Sequence, residues 1–521
     1  MSRFLPYLSL WLILVMLRQA GLAQTFVALP RSTPEAEGVS SARLLHLMDT
    51  LAASPHEFHS LMIVRHGKVI AETWWHPYRP DLKHTLYSTS KSFTSTAIGF
   101  AIQEERISLS DKVVSFFPDE CPSEISPGLA AMTIRDLLIM AGGQGPDLTH
   151  RITGKDTNWV RAFLALPVKE TPGTQFVYNS IDTYIAGAIL QKVTGLSLLD
   201  YLRPRLFEPL GIVDADWETD PMGYQVGGWG LRLRTEDMAK LGLLYLQQGR
   251  WQDKQLLPET WVIAATSAQI IQHPDKPLSE RQDSDWEQGY GYQFWRSLHG
   301  FRADGAYGQY ILVLPEQDAV IAITSETQDM QGIMRLIWKY LLPAMGPAAL
   351  PISPMPKAVL ANKLAASQLP APVAGPASPL EASISGKTLH FPPHEGRIGT
   401  LSLTFRADTC QVVIGHEGQQ YPLSLGASHW VFGHTTRPGP NLFLTSLGHF
   451  EGLPPTPVAG AYRWTSPNTL ELTLRYIESP HTERIICRFD KKTVTMTVQH
   501  SQRFGKDPQP VTGTIKPSSN K

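Results

Sequence analysis

Cysteine is scarce, with three in 521 residues, too few for a disulfide framework. Cys410 and Cys487 both fall in a late, strand-rich region, and two readings stay open for them: a pair formed in an oxidising compartment, or two buried strand residues. Cys121 has no histidine or metal-ligand pattern beside it. With no ligand cluster and no dinucleotide glycine pattern, no metal and no organic cofactor are expected. An excess of charge is missing too: 46 Lys and Arg stand against 47 Asp and Glu, a net charge of −1. No basic surplus exists to neutralise phosphates, which argues against a nucleic-acid partner. A membrane-length apolar run is also lacking. Phe4 to Leu17 is apolar, but Arg18 closes it short of a bilayer span. Arg3 before this run, and Ala20-Gly21-Leu22-Ala23 after it, make residues 1–23 read as a secretory signal cut ahead of Gln24. An uncleaved anchor is the alternative. The expectation is an exported protein, periplasmic or extracellular, without a stable membrane span after cleavage.

What is present describes a globular chain of two or three domains: 42% hydrophobic and 18% charged residues. Ser41 to Ala52 has an apolar stripe of Leu44, Leu47, Met48 and Leu51 at helical spacing. Leu61–Val64 and Val69–Ala71, joined through His66-Gly67-Lys68, predict a β-hairpin. Tyr290 to Trp295 reads as a strand, and a meander continues through Phe301–Gly305, Ala306–Leu314 and Ala319–Ser325 before a helix over Met334–Leu342. Helices and antiparallel strands in this order predict an α+β fold. Composition then shifts to Pro, Ala and Ser over 348–380, which reads as a linker. Beyond it, period-two runs such as Leu470/Leu472/Leu474 and Ile485/Cys487/Phe489 predict an all-β module over 381–515, either sandwich or barrel. Trp430 and Trp464 read as its core, and no catalytic constellation stands out in it.

The stretch with chemical promise is Tyr87-Ser88-Thr89-Ser90-Lys91-Ser92-Phe93. Apolar residues at 93, 97, 100 and 101 predict a buried helix with Ser88 and Lys91 in its first turn. Residues three apart share a helix face, so hydroxyl and amine can meet. A lysine removed from water loses its proton more easily and becomes a base for the serine. Taken alone Ser-x-x-Lys is a weak pattern; Ser518 to Lys521 matches it as well. Two further stretches add context: Pro172-Gly173-Thr174-Gln175-Phe176-Val177-Tyr178, followed by Asn179-Ser180, and Gly305-Ala306-Tyr307-Gly308-Gln309.

In this order, from about 32 to 347, these motifs resemble the serine β-lactamase-related hydrolases, which include class C β-lactamases, D-alanyl-D-alanine peptidases, esterases and nylon-oligomer hydrolases. The resemblance implies a hydrolase domain over 24–347, with a helical subdomain against a five-stranded antiparallel sheet flanked by helices. It also implies an acyl-enzyme mechanism. Ser88 would be the nucleophile, Lys91 its proton acceptor and Tyr178 the proton shuttle to the leaving group. The oxyanion hole would use the N–H groups of Ser88 and Ala306, with Gly305 and Ser180 beside the substrate.

Two departures narrow the reading. The second motif is commonly Tyr-x-Asn, whereas Ser180 follows Tyr178 here. The third is commonly Lys-Thr-Gly or His-x-Gly, whereas Ala303-Asp304-Gly305 stands in its place. A cation there would meet a substrate carboxylate, and Asp304 would repel it. The expected substrate is therefore a small ester or amide. The alternatives are a penicillin-recognising enzyme and a catalytically silent binding protein on the same fold.

Overall fold

The computed structural model describes residues 26–517 apart from 374, 376, 444, 449 and 504–506. The expected signal over 1–23 and the second Ser-x-x-Lys match at 518–521 lie outside the described residues. Helix α1 (Ser41–Ala53) precedes the hairpin of β1 (Glu57–Arg65) and β2 (Lys68–Trp74). Helix α2 (Ser90–Gln103) follows, then α3 (Ser180–Thr194) and α4 (Thr235–Leu246). The chain returns to the sheet through a two-residue strand β3 (Trp295–Arg296), then β4 (Phe301–Gly305), β5 (Gln309–Leu314) and β6 (Ala319–Glu326). The sheet order is β2-β1-β6-β5-β4-β3, antiparallel throughout. It thus has five full strands and a short sixth. The Tyr290–Trp295 stretch does not run as a strand: Gly291 N–H donates to the Phe294 carbonyl and Gln293 has φ 64°, so the chain folds back on itself before pairing at Trp295.

Strand alternation divides the sheet between two cores. Leu61, Ile63, Tyr310, Leu312, Ile321 and Ile323 face α1 on one side. Met62, Val64, Ile311, Val313, Val320 and Ala322 pack on the other side with the helical subdomain, α4 included. Helix α2 runs through that second core, and Ser90 to Ala101 are all buried. A helix with so many hydroxyls can be buried because they are paired. Ser92 donates to the Gln293 carbonyl (2.7 Å), Thr94 to that of Gly227 (2.8 Å) and Ser95 to that of Tyr292 (2.7 Å). These bonds fix the helix, and with it the residues at its head.

The Pro/Ala-rich stretch carries helix α5 (Pro354–Ala365), which lies against α1 and β2 and buries Leu360. The C-terminal region is a barrel: β7 (Lys387–His390), β8 (Ile398–Phe405), β9 (Thr409–His416), β10 (Gln419–Ala427), β11 (Val431–Thr435), β12 (Thr456–Ser466), β13 (Thr469–Tyr476), β14 (Thr482–Asp490), β15 (Thr493–His500) and β16 (Val511–Pro517). Nine of these pair in the order β10-β9-β8-β7-β16-β15-β14-β13-β12, and a parallel contact of Gly426 and Ala427 with Ala461 and Tyr462 closes the ring. Strand β11 pairs with β12 outside that ring. Apolar side chains including Leu401, Val412, Trp464, Leu472 and Ile485 fill the interior. Cys410 and Cys487 are both buried in this core as free thiols, so the pairing reading falls and the strand-residue reading holds. Trp430 is half-buried and donates to the Leu369 carbonyl, against the stretch after α5.

The barrel packs against the N-terminal sheet and its helices. Arg475 pairs with Glu57 (2.5 Å) and Arg232 with Glu478 (3.1 Å). From the long connection between β11 and β12, Phe443 stacks on Trp229 with ring centroids 4.1 Å apart.

Candidate active site

Ser88 lies in a short 3-10 turn, Tyr87–Thr89, that leads into α2 at Ser90. It therefore sits just ahead of the α-helix, one turn earlier than the apolar period suggests, and Lys91 occupies the helix's first turn. The i, i+3 relation survives: Lys91 Nζ is 3.0 Å from Ser88 Oγ. The same ammonium nitrogen is 3.1 Å from Ser180 Oγ and 2.6 Å from the Gly228 carbonyl. Ser180 opens α3, where the Asn179 side chain accepts from the Ile181 N–H as a cap. Gly228 must be glycine for this approach, because a Cβ there would stand 2.4 Å from the Ser180 carbonyl oxygen.

Lys91 is 1% exposed. Burial lowers its pKa from 10.5 to about 7, and the charges of Asp147, Asp304 and Asp182 oppose that fall without cancelling it. Ser88 itself is half-buried and so reachable. Tyr178 presents its ring to the amine, 5.1 Å from Nζ to centroid, with its hydroxyl on the Ser88 side. Burial first, then the charge of Asp304, holds that phenol above its ordinary pKa, so it is a neutral hydroxyl at working pH. Its ring stacks on Trp295 at 5.6 Å and meets Tyr290 edge-on at 6.4 Å; Phe176 contacts the same two rings. These aromatic groups form an apolar wall beside the serine.

The end of β4 closes against Ser88. A Cβ on Gly305 would lie 2.1 Å from the Leu86 carbonyl oxygen and 3.1 Å from the Ser88 nitrogen. Only glycine lets the strand come this near. Thr89 Oγ1 donates to the Gln309 carbonyl (3.0 Å), and Gln309 Nε2 donates to the Ala306 carbonyl (3.0 Å), so the turn carrying Ala306 is tied to the residue after Ser88. All six residues expected from the sequence thus come together: Ser88, Lys91, Tyr178 and Ser180 directly, Gly305 and Ala306 through this turn.

The third-motif position is clearer in the structure than in the sequence. Ala303 is 1% exposed and packs in the main core with Phe301, so this position holds an apolar methyl and no cation. Arg302 does not replace the missing cation. It is fully buried, bonds Asp304 through Nε (2.7 Å), and donates from Nη1 to Ser297 and two carbonyl groups. Its guanidinium also lies over Trp286 at 4.6 Å. Burial raises the pKa of Asp304, while Arg302 pulls it down.

Two participants escaped the sequence reading. Gly228 was visible only as part of a Gly-rich stretch, since a carbonyl leaves no side-chain signature. Asp182 is buried four residues beyond Tyr178, bonded by Asn179 Nδ2 (2.8 Å) and by the Gly142 N–H, and desolvation raises its pKa. Its place in the Tyr178–Asp182 run was the signal available. Among the described residues no cluster of His, Cys, Asp and Glu could hold a metal ion.

Comparison with known proteins bears on the family and the fold. The 6-aminohexanoate-dimer hydrolase of Paenarthrobacter ureafaciens is 24% identical over 292 residues, covering 52% of this chain and 73% of that protein. Protein flp of Staphylococcus aureus strain COL is 26% identical over 190 residues, covering 32% of this chain and 38% of that one. A candidate β-lactamase from Bacteroides dorei DSM 17855 superposes with a TM-score of 0.50 at 17% identity, over 58% of this chain and 99% of its own; it shares the fold. The Beta-lactamase family model matches residues 57–342, more than half of the sequence, and the chain belongs to the β-lactamase family of serine hydrolase folds.

Proposed function

We propose that this protein is an exported serine hydrolase that cleaves an ester or a small amide through an acyl-enzyme on Ser88. The observation that carries it is the Lys91 amine, 3.0 Å from Ser88 Oγ and lowered by burial to about 7. In this reading neutral Lys91 takes the Ser88 proton as Oγ attacks the substrate carbonyl. The N–H groups of Ser88 and Ala306 receive the charge that develops on the carbonyl oxygen, and losing one such donor costs about a hundredfold or more in rate. The Tyr178 hydroxyl passes a proton to the departing alcohol or amine, and water then releases the acyl group. The similarity to a 6-aminohexanoate-dimer hydrolase supports small-amide chemistry. The absence of a cation at Ala303, with Arg302 committed to Asp304, supports an uncharged substrate over a penicillin.

The partner in this reading is a small molecule, with neither nucleic acid nor cofactor. Among the described residues no helix is long and apolar enough to cross a membrane. Export rests on the character of residues 1–23, and mass analysis of the secreted protein should find Gln24 as its first residue.

The test of the chemistry is intact-mass labelling with a fluorophosphonate and, separately, with a penicillin, followed by peptide mapping. A label on Ser88 from the first alone supports an esterase or amidase. A label from penicillin restores the penicillin-recognising reading, and a label from neither overturns the enzyme reading in favour of a binding protein.

A further inference from the structure

Tyr87, the residue before the nucleophile, has φ 48°. A bulky side chain holds such a left-handed backbone only where its surroundings over-determine it. Here part of those surroundings comes from the barrel. Tyr87 is 1% exposed, and its hydroxyl lies 2.5 Å from His481 Nε2, with the Leu442 N–H donating to the same oxygen at 3.3 Å. His481, fully buried, has Nδ1 2.6 Å from Glu326 Oε1, at the end of β6. That oxygen also accepts from Ser501 Oγ at 2.8 Å. The imidazole thus bridges the two parts, with Nδ1 on the Glu326 carboxyl and Nε2 on the Tyr87 hydroxyl. The Tyr307 ring, from the turn that carries Ala306, stands 4.8 Å from the His481 ring and 5.7 Å from that of Tyr87.

We propose that His481 is a positioning residue for catalysis: the barrel, by hooking the Tyr87 hydroxyl, sets the backbone that aims Ser88 Oγ and the Ser88 N–H. The proposal rests on the acyl-enzyme reading above. It is more than a glue contact, because glue is already supplied elsewhere on the same interface by Arg475–Glu57, Arg232–Glu478 and Thr153–Ser446. The hook instead grips the residue whose φ decides where both reacting groups of Ser88 point. A misplacement of about 1 Å at a reacting atom can cost roughly a hundredfold.

The experiment uses the full chain and measures the rate constant for fluorophosphonate acylation, kcat and KM on a neutral aryl ester, and the thermal midpoint. Tyr87→Phe keeps the ring and removes only the hydroxyl. Tyr87→Phe and His481→Ala should each slow acylation and kcat by about ten- to a hundredfold with KM within about twofold. The double variant should be no slower than the slower single, since both break one hook. His481→Gln, whose amide oxygen can accept from the phenol, should recover part of the rate. Thr153→Val, which removes an interface bond away from Tyr87, should leave acylation unchanged. Unchanged acylation in Tyr87→Phe overturns the proposal, as does a multiplicative loss in the double variant or an equal loss in Thr153→Val. Should His481→Ala fail to fold, Tyr87→Phe against wild type decides alone. Failure of the wild type to label at all counts against the acyl-enzyme reading instead.

Discussion

The Lys91 amine offers the most quantitative test. With a pKa of about 7, roughly nine-tenths of it is neutral at pH 8, whereas a lysine at its ordinary value near 10.5 is neutral to about three parts in a thousand. Burial therefore raises the supply of base by about three-hundredfold. Below about pH 7 the rate should fall tenfold for each pH step, and above it the rate should level off. The assay is kcat/KM for an uncharged aryl ester between about pH 5 and pH 9. Lys91→Arg should be nearly inactive throughout, because a guanidinium keeps its proton. A flat profile in wild type, or the same limb in Lys91→Arg, refutes the assignment of the base.

The same shift has a stability side with a definite sign. The folded state lowers the lysine pKa, so between about 7 and 10.5 the unfolded chain binds more protons and stability rises with pH. Below about 7 both states are protonated and the cost of burying the cation is fully present. A fall from 10.5 to about 7 corresponds to roughly 5 kcal/mol. Lys91→Met removes that cost but leaves the Gly228 carbonyl without its donor, a loss of about 1–3 kcal/mol. Relief of the charge wins in acid. The methionine variant should therefore be the more stable protein near pH 6, by about 2–4 kcal/mol, and the advantage should shrink as pH rises and reverse near pH 10, where the charge cost has fallen to about 1 kcal/mol. Denaturant titrations in which the variant is weaker at pH 6 would refute the claim that the fold carries a strained ammonium.

Tyr178→Phe should lower amide turnover by about a hundredfold or more, and turnover of a p-nitrophenyl ester less, because nitrophenolate leaves without a proton; equal losses would remove the shuttle role. For a matched pair of substrates at low salt, wild type should prefer the neutral over the anionic member by about tenfold in kcat/KM, since Arg302 is fully buried and its charge is paired with Asp304. The reverse preference would return the lead to a penicillin-type substrate. Burial pushes the Cys410 and Cys487 thiols up to about 12, so a thiol reagent should leave both untouched in the native protein and reductant should not move the thermal midpoint. A midpoint that drops in reductant would reveal a disulfide.

Much of the site was legible because its chemistry is local. Ser88 and Lys91 are three residues apart across the turn into α2, a spacing that brings hydroxyl and amine together, whereas Tyr178 and Ser180 were placed by the family resemblance of their motif. Partners that act through backbone or through strand faces were hidden. The Gly228 carbonyl has no residue type to recognise. Arg302 and Asp304 stand two apart, a spacing that places both side chains on one face of β4, yet only the structure shows them paired with each other instead of facing a substrate. The strand over Tyr290–Trp295 failed for a local reason as well. Its β-favouring aromatics are overruled at Gly291, where a Cβ would stand 2.0 Å from the Ala265 carbonyl oxygen, and at the left-handed Gln293.

The barrel shows a different limit. Period-two patterning finds strands one at a time, because each strand's alternation is set by which face is buried. Closure depends on a parallel contact between Gly426–Ala427 and Ala461–Tyr462, which neither strand's own pattern announces. The docking of the barrel is further removed still. Tyr87 and His481 are 394 positions apart, and each alone is unremarkable: an aromatic ahead of a motif, and a histidine just ahead of a strand. Only the fold brings the phenol to the imidazole and the imidazole to Glu326. Chemistry that needs a long-range hydrogen bond to hold a strained backbone is written in two places, and a sequence read along its length meets them separately. A module whose described residues hold no catalytic constellation can therefore still serve the proposed active site, through a residue whose conformation it helps to hold.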